Sequence, residues 1–356
     1  MHFHRNGNHL LRLTNPDGLL ISARHRAYRT AHSLLAVLAF NPKAFMLPIF
    51  ESILPIFLLM VGGNLLRRTP LIDPSAWTGL DQLGFWFLYP ALLFVTIYNA
   101  DFGGLQLDAM MAALLAALAV MVSITLALWP LLKPSGLVRK SEFSSVFQTA
   151  VRWNSFIALA IAQKIFPPAG MAVVALVMAV IIIPINLMTI FTVTRFSEHS
   201  VNWPRIGRGI VTNPMILGSL AGVVFRLLPF ELYGPVNQAL GLIANAALGM
   251  GLLAIGAALR VSDLWQPRLA LVLPLVLKLV VFPVLLVSAG LAFGVSGLQL
   301  SYLALCAAVP TAMNGYLLAR QLGGDAELYA AVTTLQTIVS FFTIPAVLTI
   351  TAQLAG

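Results

Sequence analysis

The stretch that decides the fold class is residues 269–293, which read LALVLPLVLKLVVFPVLLVSAGLAF. It contains one charged residue, Lys278, and is long enough to cross a hydrocarbon core of roughly 30 Å. The whole chain has the same character, because its 356 residues are 59% hydrophobic and only 9% charged, whereas an ordinary soluble domain is about a quarter charged. Such a chain cannot cover itself with a polar surface. The sequence therefore predicts an all-α polytopic membrane protein.

Ten apolar stretches of this kind follow one another along the chain. Backbone groups in lipid must be satisfied within the segment, and these runs are too long and continuous for barrel strands, so we expect helices. The predicted spans 1 to 10 are Leu47–Leu66, Leu80–Tyr98, Asp108–Leu132, Phe143–Phe166, Ala169–Thr194, Gly209–Leu228, Val236–Leu259, Leu269–Phe293, Leu298–Leu322 and Ala326–Leu354.

The charges between the spans predict the orientation in the cell (inner) membrane. Loops after the odd spans carry eleven basic residues, whereas loops after the even spans carry only Lys164 and Arg226. Because basic loops stay in the cytoplasm, both ends of the ten-span unit are predicted to lie outside. The net charge of +9 thus indicates orientation and not nucleic-acid binding. The eleven are Arg67, Arg68, Lys133, Arg139, Lys140, Arg195, Arg205, Arg208, Arg260, Arg268 and Arg320.

Residues 1–45 form a basic tail that this topology places outside, against the usual charge bias. The tail lacks the ordering of a signal peptide. Two interpretations stay open: Met46 is the working start, so that the tail is not translated, or the tail is a disordered or surface-lying arm. The rest of the chain is predicted to form a first five-helix repeat (46–194), a short cytoplasmic linker (195–208) and a second five-helix repeat (209–356).

Weak internal similarity supports this division into two halves. With an offset of 157 residues, Leu83-Gly84 falls on Leu240-Gly241, and Asn154 falls on Thr311. Related halves with an odd number of helices insert in opposite orientations, which is the architecture of many secondary transporters. Broken helices near the midplane hold the substrate in that architecture. Spans 4 and 9 are the corresponding positions here.

Both of these spans carry a polar cluster in mid-span. Span 4 contains QTAVRWNSF at residues 148–156, and span 9 contains AVPTAMNG at residues 308–315. Pro310 removes a helical hydrogen bond, and half-helix N-termini beyond two such breaks would favour an anion. The planar guanidinium of Arg152 matches a carboxylate. The candidate substrate contacts are Arg152, Asn154, Ser155, Pro310, Thr311 and Asn314.

Each candidate also has a structural interpretation. Pro310 could only kink span 9, as prolines in membrane helices often do. The neutral polar candidates could be packing contacts between helices. The functional interpretation is favoured for Arg152, because a charge near the bilayer centre is costly and usually marks a pathway or an internal partner.

The remaining charges within or beside the spans are few. Lys278 is expected to have a structural role, in which it balances helix carbonyl ends or a carboxylate. Glu51 and Asp81 could carry a coupling proton, although an interfacial position without function is the preferred interpretation. Cys306 is the one cysteine, which excludes a cysteine-based metal site. No cofactor is predicted.

Other function classes fit the sequence less well. The spans hold no histidine, no paired aspartates of prenyltransferase type and no HExxH motif, so an enzyme is not expected. A passive anion channel is an alternative, although nothing suggests a ring of like charges or a carbonyl filter. A carrier for a different solute class on the same fold is the other alternative.

Several short motifs, in order and spacing, resemble the auxin efflux carrier family. They are FLYPALLF at residues 87–94, Asn213-Pro214, residues 310–327 and residues 340–345. The resemblance covers nearly everything after Met46. The short linker is similar to that of the bacterial branch of the family, which lacks the long cytoplasmic loop of the plant carriers.

The resemblance implies two inverted five-helix repeats with crossing, broken helices 4 and 9, and an elevator-like alternating access. It also implies organic anions as substrates, of malonate, malate or lactate type in bacterial members. Asn154 matches the asparagine that meets the substrate carboxylate in plant members, and Pro310 matches the helix-9 proline. The sequence departs from the family where Trp153 replaces the break proline of helix 4 and residues 157–160 lack the usual Gly and Pro. A break in span 4 is therefore less well predicted than the one in span 9.

The partners expected from the sequence are a small carboxylate substrate and membrane lipid. A proton or another coupling ion, and a second copy of the chain in a homodimer, are further candidates. No nucleic acid is expected.

Overall fold

A computed structural model describes residues 42–196, 208, 211–229, 231–260, 268–313 and 315–355. These residues form helices and no strand, which confirms the predicted fold class. The chain divides into two units, Met1–Phe45 and Met46–Gly356, and the candidate site lies in the second. Residues 1–41, most of the predicted linker and Asn314 lie outside the described residues. The predicted division into a tail, two repeats and a linker stays a prediction.

Among the described residues, seven helices are long and apolar enough to cross a membrane, and they are α1 (47–68), α2 (74–98), α3 (107–135), α6 (168–196), α8 (234–258), α9 (269–292) and α12 (326–355). Two of them contain a π-helical turn, at Gly84–Leu88 in α2 and at Leu277–Val281 in α9. The helices are α1 (Pro42–Arg68), α2 (Pro74–Tyr98), α3 (Leu107–Ser135), α4 (Lys140–Val151), α5 (Ser155–Ile165), α6 (Pro168–Phe196), α7 (Pro214–Leu227), α8 (Gly234–Ala258), α9 (Leu269–Ala292), α10 (Gly297–Ala308), α11 (Gly315–Leu322) and α12 (Ala326–Ala355).

The other three predicted spans correspond to shorter helices. Span 6 forms the short helix α7, span 4 is divided into α4 and α5, and span 9 is divided into α10 and α11. Hydropathy does not reveal the two breaks, because the apolar character continues through them; the break in span 9 was predicted from Pro310, and a less certain break in span 4 from the polar cluster at residues 148–156. The ten-span topology and the inverted repeat stay predictions.

Within the compact unit 46–356, the most extensive helix contacts form two groups, which α6 and α1 connect. Helix α2 packs against α7 and α8, and α1 approaches α8 so closely that a Cβ on Gly256 would meet the backbone of Met60. Small residues permit such close packing of membrane helices. In the other group, α3 packs against α9, α10 against α12, and α4 against α6 and α9.

Helix α4 lies in the protein interior. Every residue from Glu142 to Val151 is buried, including Ser144, Ser145 and Gln148. A helix with polar side chains on several faces is costly to expose to lipid. The surrounding helices α6, α9 and α12 therefore bury α4 as far as its last turn.

A charged cluster fixes the first turn of α4. Glu142 accepts from the backbone N of Arg139 at 2.7 Å and from its Nη2 at 2.8 Å, and Arg268 Nη1 lies 3.7 Å from the same carboxylate. Burial alone raises the pKa of Glu142, but these hydrogen bonds and positive charges outweigh it and leave the pKa below its ordinary value. Ser145 Oγ donates to the backbone of Asp325 at 2.6 Å. The starts of α4, α9 and α12 are thereby joined.

The two lysines at opposite ends of span 4 test the predicted orientation. Lys140 and Lys164 are both exposed, and the native Cys306 is buried, so a membrane-impermeant maleimide has little background. We expect the Lys164→Cys variant to be labelled in intact cells and the Lys140→Cys variant to be labelled only after permeabilisation. The reverse pattern would show that the basic loops after the odd spans face the outside, opposite to the prediction.

Candidate functional site

Span 4 breaks between Val151 and Ser155 although no proline is present. Arg152 and Asn154 adopt extended backbone conformations, with ψ of 158° and 93°. Asn154 caps α5, because its Oδ1 accepts from the backbone N of Ile157 at 3.2 Å. Asparagine is among the preferred residues at a helix N-cap. The break is therefore built by capping, where the sequence departs from the family's proline.

Span 9 breaks at Pro310, as predicted. Helix α10 ends at Ala308, and Val309 is extended with ψ of 150°, as expected for a residue before proline. The backbone N of Asn154 donates to the carbonyl of Pro310 at 2.7 Å. The two breaks therefore meet, and we call the segments 152–154 and 309–313 the crossing.

Gln336 of α12 holds both sides of the crossing. Its Oε1 accepts from the backbone N of Thr311 at 2.9 Å. Its Nε2 donates to the carbonyls of Thr149 at 3.1 Å and Pro274 at 3.0 Å. Gln336 is completely buried, and it bonds the N–H of Thr311 and the carbonyl of Thr149 at the two breaks together with the carbonyl of Pro274 inside the continuous helix α9. A buried polar network of this kind is stable only when its members are satisfied.

Tyr329 of α12 fixes the segment after Pro310. Its hydroxyl donates to the carbonyl of Ala312 at 2.6 Å and lies 3.3 Å from Thr311 Oγ1. A Cβ on Gly315 would collide with the Tyr329 ring and hydroxyl. Glycine is therefore required where α11 begins, since only its missing side chain leaves room for the tyrosine.

Arg152 is held against α6. Its Nη2 donates to Asn186 Oδ1 at 2.8 Å and to Thr189 Oγ1 at 3.0 Å. The residue is 7% exposed, and this exposure faces an internal cavity. These two neutral partners fix the plane of the guanidinium.

The cavity has a volume of about 330 Å³. Its polar lining residues are Arg152, Ser155, Asn186 and Asn213. Among the described residues that line it, Arg152 is the one charged residue. The remaining lining residues are Phe85, Trp153, Phe156, Met178, Ile181, Ile182, Ile185, Met215, Ala312 and Leu318.

Two helix starts face this cavity. Ser155 and Phe156 belong to the first turn of α5, whose N–H groups have no carbonyl within the helix to bond to. Asn213 caps α7, where its Oδ1 accepts from the backbone N of Met215 at 2.9 Å, so its amide nitrogen is left to donate. Helix starts carry partial positive charge. The cavity therefore combines one full positive charge with several hydrogen-bond donors.

The predicted substrate contacts divide into two sets. Arg152 and Ser155 line the cavity. Asn154, Pro310 and Thr311 are buried in the crossing beside it and do not appear in its lining. Asn314 lies outside the described residues. Whether any of these side chains meets a substrate stays a prediction.

The other predicted charges lie away from the cavity. Glu51 on α1 and Asp81 on α2 are exposed and are not among its lining residues. Lys278 is completely buried in α9, and its Nζ donates to the carbonyl of Ala307 at 3.1 Å. Their roles in coupling or structure stay predictions.

Several residues of the site were not predicted. They are neutral, and in an apolar span a neutral side chain stands out less than a charge or a proline; these residues are Asn186, Asn213, Gln336 and Tyr329. Asn186 gives a usable signal, because it is a lone amide two residues after Pro184 in an otherwise apolar run. Gln336 and Tyr329 are recognisable only from their partners in space.

Apolar membrane-length helices, discontinuous helices that meet inside the protein, and a cavity with polar and apolar walls at that point are features of multi-pass membrane transport proteins. A family model described as "Membrane transport protein" matches residues 204–348.

Two relatives agree with this class. A protein named "Uncharacterized transporter" from Methanothermobacter thermautotrophicus is 23% identical over 300 residues, which are 83% of this chain and 96% of that protein. A protein named "Putative malonate transporter" from Rhizobium meliloti is 31% identical over 148 residues, which are 40% of this chain and 45% of that protein. The resemblance to the auxin efflux carrier family is confirmed by these matches.

Proposed function

We propose that this protein is a secondary transporter that carries small organic anions, with a carboxylate bound in the cavity beside the crossing, by alternating access. The observation that carries the proposal is Arg152, whose buried guanidinium lines a cavity of about 330 Å³ with otherwise neutral walls. A charged side chain near the bilayer centre costs at least about 2.5–3.5 kcal/mol on insertion scales. An anionic substrate would offset that cost.

The donors around Arg152 favour a carboxylate. A guanidinium can bind both oxygens of a carboxylate in one plane, and Arg152 lines the cavity in which such an anion would lie. The start of α5 adds N–H groups and partial positive charge. The apolar remainder of the wall suits the carbon body of the anion. The malonate in the name of one relative agrees with this substrate class.

The two groups of helices provide a route for alternating access. Phe85, Asn213 and Met215 line the cavity from α2 and the start of α7, whereas Arg152 and Asn186 line it from the group that contains the crossing. A site at the boundary between two packed groups opens to either side when one group moves past the other. Many secondary transporters with discontinuous helices work in this way.

Exchange in proteoliposomes tests the function. Purified protein is first screened by thermal shift against mono- and dicarboxylates, and the best ligand is then loaded inside liposomes. We expect saturable uptake of labelled carboxylate that is accelerated by unlabelled carboxylate on the other side. Flux that rises linearly with concentration would show a channel. Exchange of a neutral or cationic solute with no carboxylate uptake would show a different solute class.

Asn186 is expected to contribute to affinity through Arg152. In the Asn186→Ala variant the guanidinium loses a hydrogen bond at 2.8 Å and becomes less well oriented, so carboxylate affinity should fall about three- to tenfold, the scale of one net hydrogen bond. Equilibrium binding to purified protein measures this. The matched control is Asn237→Ala, because Asn237 pairs with Asn99 in an exposed position. Equal losses in both variants would show a general effect of removing an amide.

A further inference from the structure

A lysine ammonium lies at the carbonyl end of α10, where the crossing begins. Lys278 is completely buried, its Nζ donates to the carbonyl of Ala307 at 3.1 Å, and it lies 4.4 Å from the centroid of the Phe282 ring. Within the described part of the chain, no salt bridge includes Lys278. Among the described residues, the cation is therefore compensated by a helix end and an aromatic face.

The carbonyl end of a helix is where a cation is most favourable. The last four carbonyls of a helix have no partner within it, and the helix dipole places about half a negative charge there. Helix α10 ends inside the protein at Ala308, so water cannot compensate these carbonyls freely. In transporters with broken helices, such ends and unwound carbonyls bind the coupling Na⁺ or H⁺.

The other carbonyl end at the crossing is occupied as well. The carbonyl of Thr149, in the last turn of α4, accepts from Gln336 Nε2 at 3.1 Å. None of the described residues that line the cavity is acidic. The carbonyl ends that would attract a metal cation therefore already hold donors that are part of the chain.

We propose that the ammonium of Lys278 is a tethered cation that takes the place of a coupling metal ion at the end of α10, so that transport requires neither Na⁺ nor K⁺ bound at the crossing. The proposal rests on the proposed function as an anion carrier. Lys278 is a positioning residue, because it does not line the cavity and acts by fixing α10 and the segment 309–313.

The first experiment exchanges the cations around the wild-type protein. Initial rates of carboxylate uptake are measured in proteoliposomes with Na⁺, K⁺ or N-methyl-D-glucamine on both sides, at equal ionic strength. Rates that agree within twofold are expected. A loss of more than twofold when Na⁺ or K⁺ is withdrawn overturns the proposal.

The second experiment separates the charge of Lys278 from its volume. Lys278→Ala is expected to lower the uptake rate about fivefold and to lower the Tm, and ethylammonium or propylammonium should restore both at least in part by entering the vacated space. Lys278→Met fills that space with a neutral side chain, so it should be impaired and should not respond to amines. Lys278→Arg retains a cation and should stay closest to wild type.

The control is Lys164→Ala, which removes an exposed lysine from the end of α5 and should change neither rate nor Tm. Restoration of Lys278→Ala by 1-propanol as well as by propylammonium would show that volume and not charge matters, and would overturn the proposal. Normal behaviour of Lys278→Met would overturn it also.

Failure of the two proposals can be told apart. Saturable carboxylate uptake that requires Na⁺ leaves the anion carrier in place and removes the tethered cation. If no carboxylate is taken up under any cation, the proposed function fails. The Tm measurements with and without alkylammonium still decide whether Lys278 acts as a tethered cation.

Discussion

Replacing Arg152 with glutamine is expected to weaken carboxylate binding by roughly 1.5–3 kcal/mol, the usual scale for a hydrogen bond to a charged group. That range corresponds to an increase in Kd of about 10- to 150-fold. Arg152 supplies the one charge among the described lining residues of the cavity, so its loss removes most of the attraction for an anion. Equilibrium binding of the best carboxylate to purified protein measures the effect.

Two further variants make this result specific. Arg152→Lys keeps the charge but loses the planar fork, so its affinity should fall between those of wild type and Arg152→Gln. Arg320→Gln is the matched control, because it removes an exposed arginine from α11, and its affinity should be unchanged. If folded Arg152→Gln binds the carboxylate as tightly as wild type, Arg152 serves only to join α6 to the crossing and the anion site lies elsewhere.

Replacing Gln336 with leucine should cause the largest loss of stability. The change leaves a buried N–H and two carbonyls without their present partner, at Thr311, Thr149 and Pro274. Each unsatisfied buried group costs about 1–3 kcal/mol in soluble proteins, but membrane interiors average nearer 0.6 kcal/mol per hydrogen bond. We therefore expect a loss of about 2–4 kcal/mol in the free energy of unfolding and a more than tenfold slower uptake.

The measurements are denaturation in detergent and uptake in proteoliposomes. Gln336→Glu, when ionised, keeps an acceptor for the N–H of Thr311 but loses both donated hydrogen bonds, so it should also be impaired. Gln163→Leu removes an exposed amide from α5 and should leave stability and uptake unchanged. Normal stability in Gln336→Leu would show that the crossing is held by the helices around it and not by this side chain.

The fold class was predictable because it depends on composition and length. A stretch such as residues 269–293 can cross a membrane only as a helix. The break at Pro310 was predictable for a similar reason, since proline lacks the donor that a continuous helix needs. The break at Arg152 was less accessible, because it depends on capping by Asn154 and on a hydrogen bond to the distant carbonyl of Pro310.

The site was predictable only in part. Arg152 stands out in the sequence, because a lone charge in a span demands an explanation. Asn186 and Gln336 do not, because neutral amides are common packing contacts in membrane helices. Asn154 and Thr311 belong to the segments that form the crossing, and their side chains are buried there. Ser155 and Asn186 line the cavity instead. A sequence shows which residues are polar, but the direction in which each side chain points depends on the residues that surround it in the fold.

The cavity lies between two groups of helices, so its two sides are expected to move differently during a transport cycle. In the proposed mechanism, a bound anion travels with Arg152 and Asn186, while Phe85, Asn213 and Met215 stay with α2 and α7. Substrate selectivity and transport rate are therefore expected to depend on different residues of the same cavity. Substitutions on the moving side of the cavity are expected to change substrate selectivity. Substitutions on the stationary side are expected to change the transport rate and to leave selectivity largely intact.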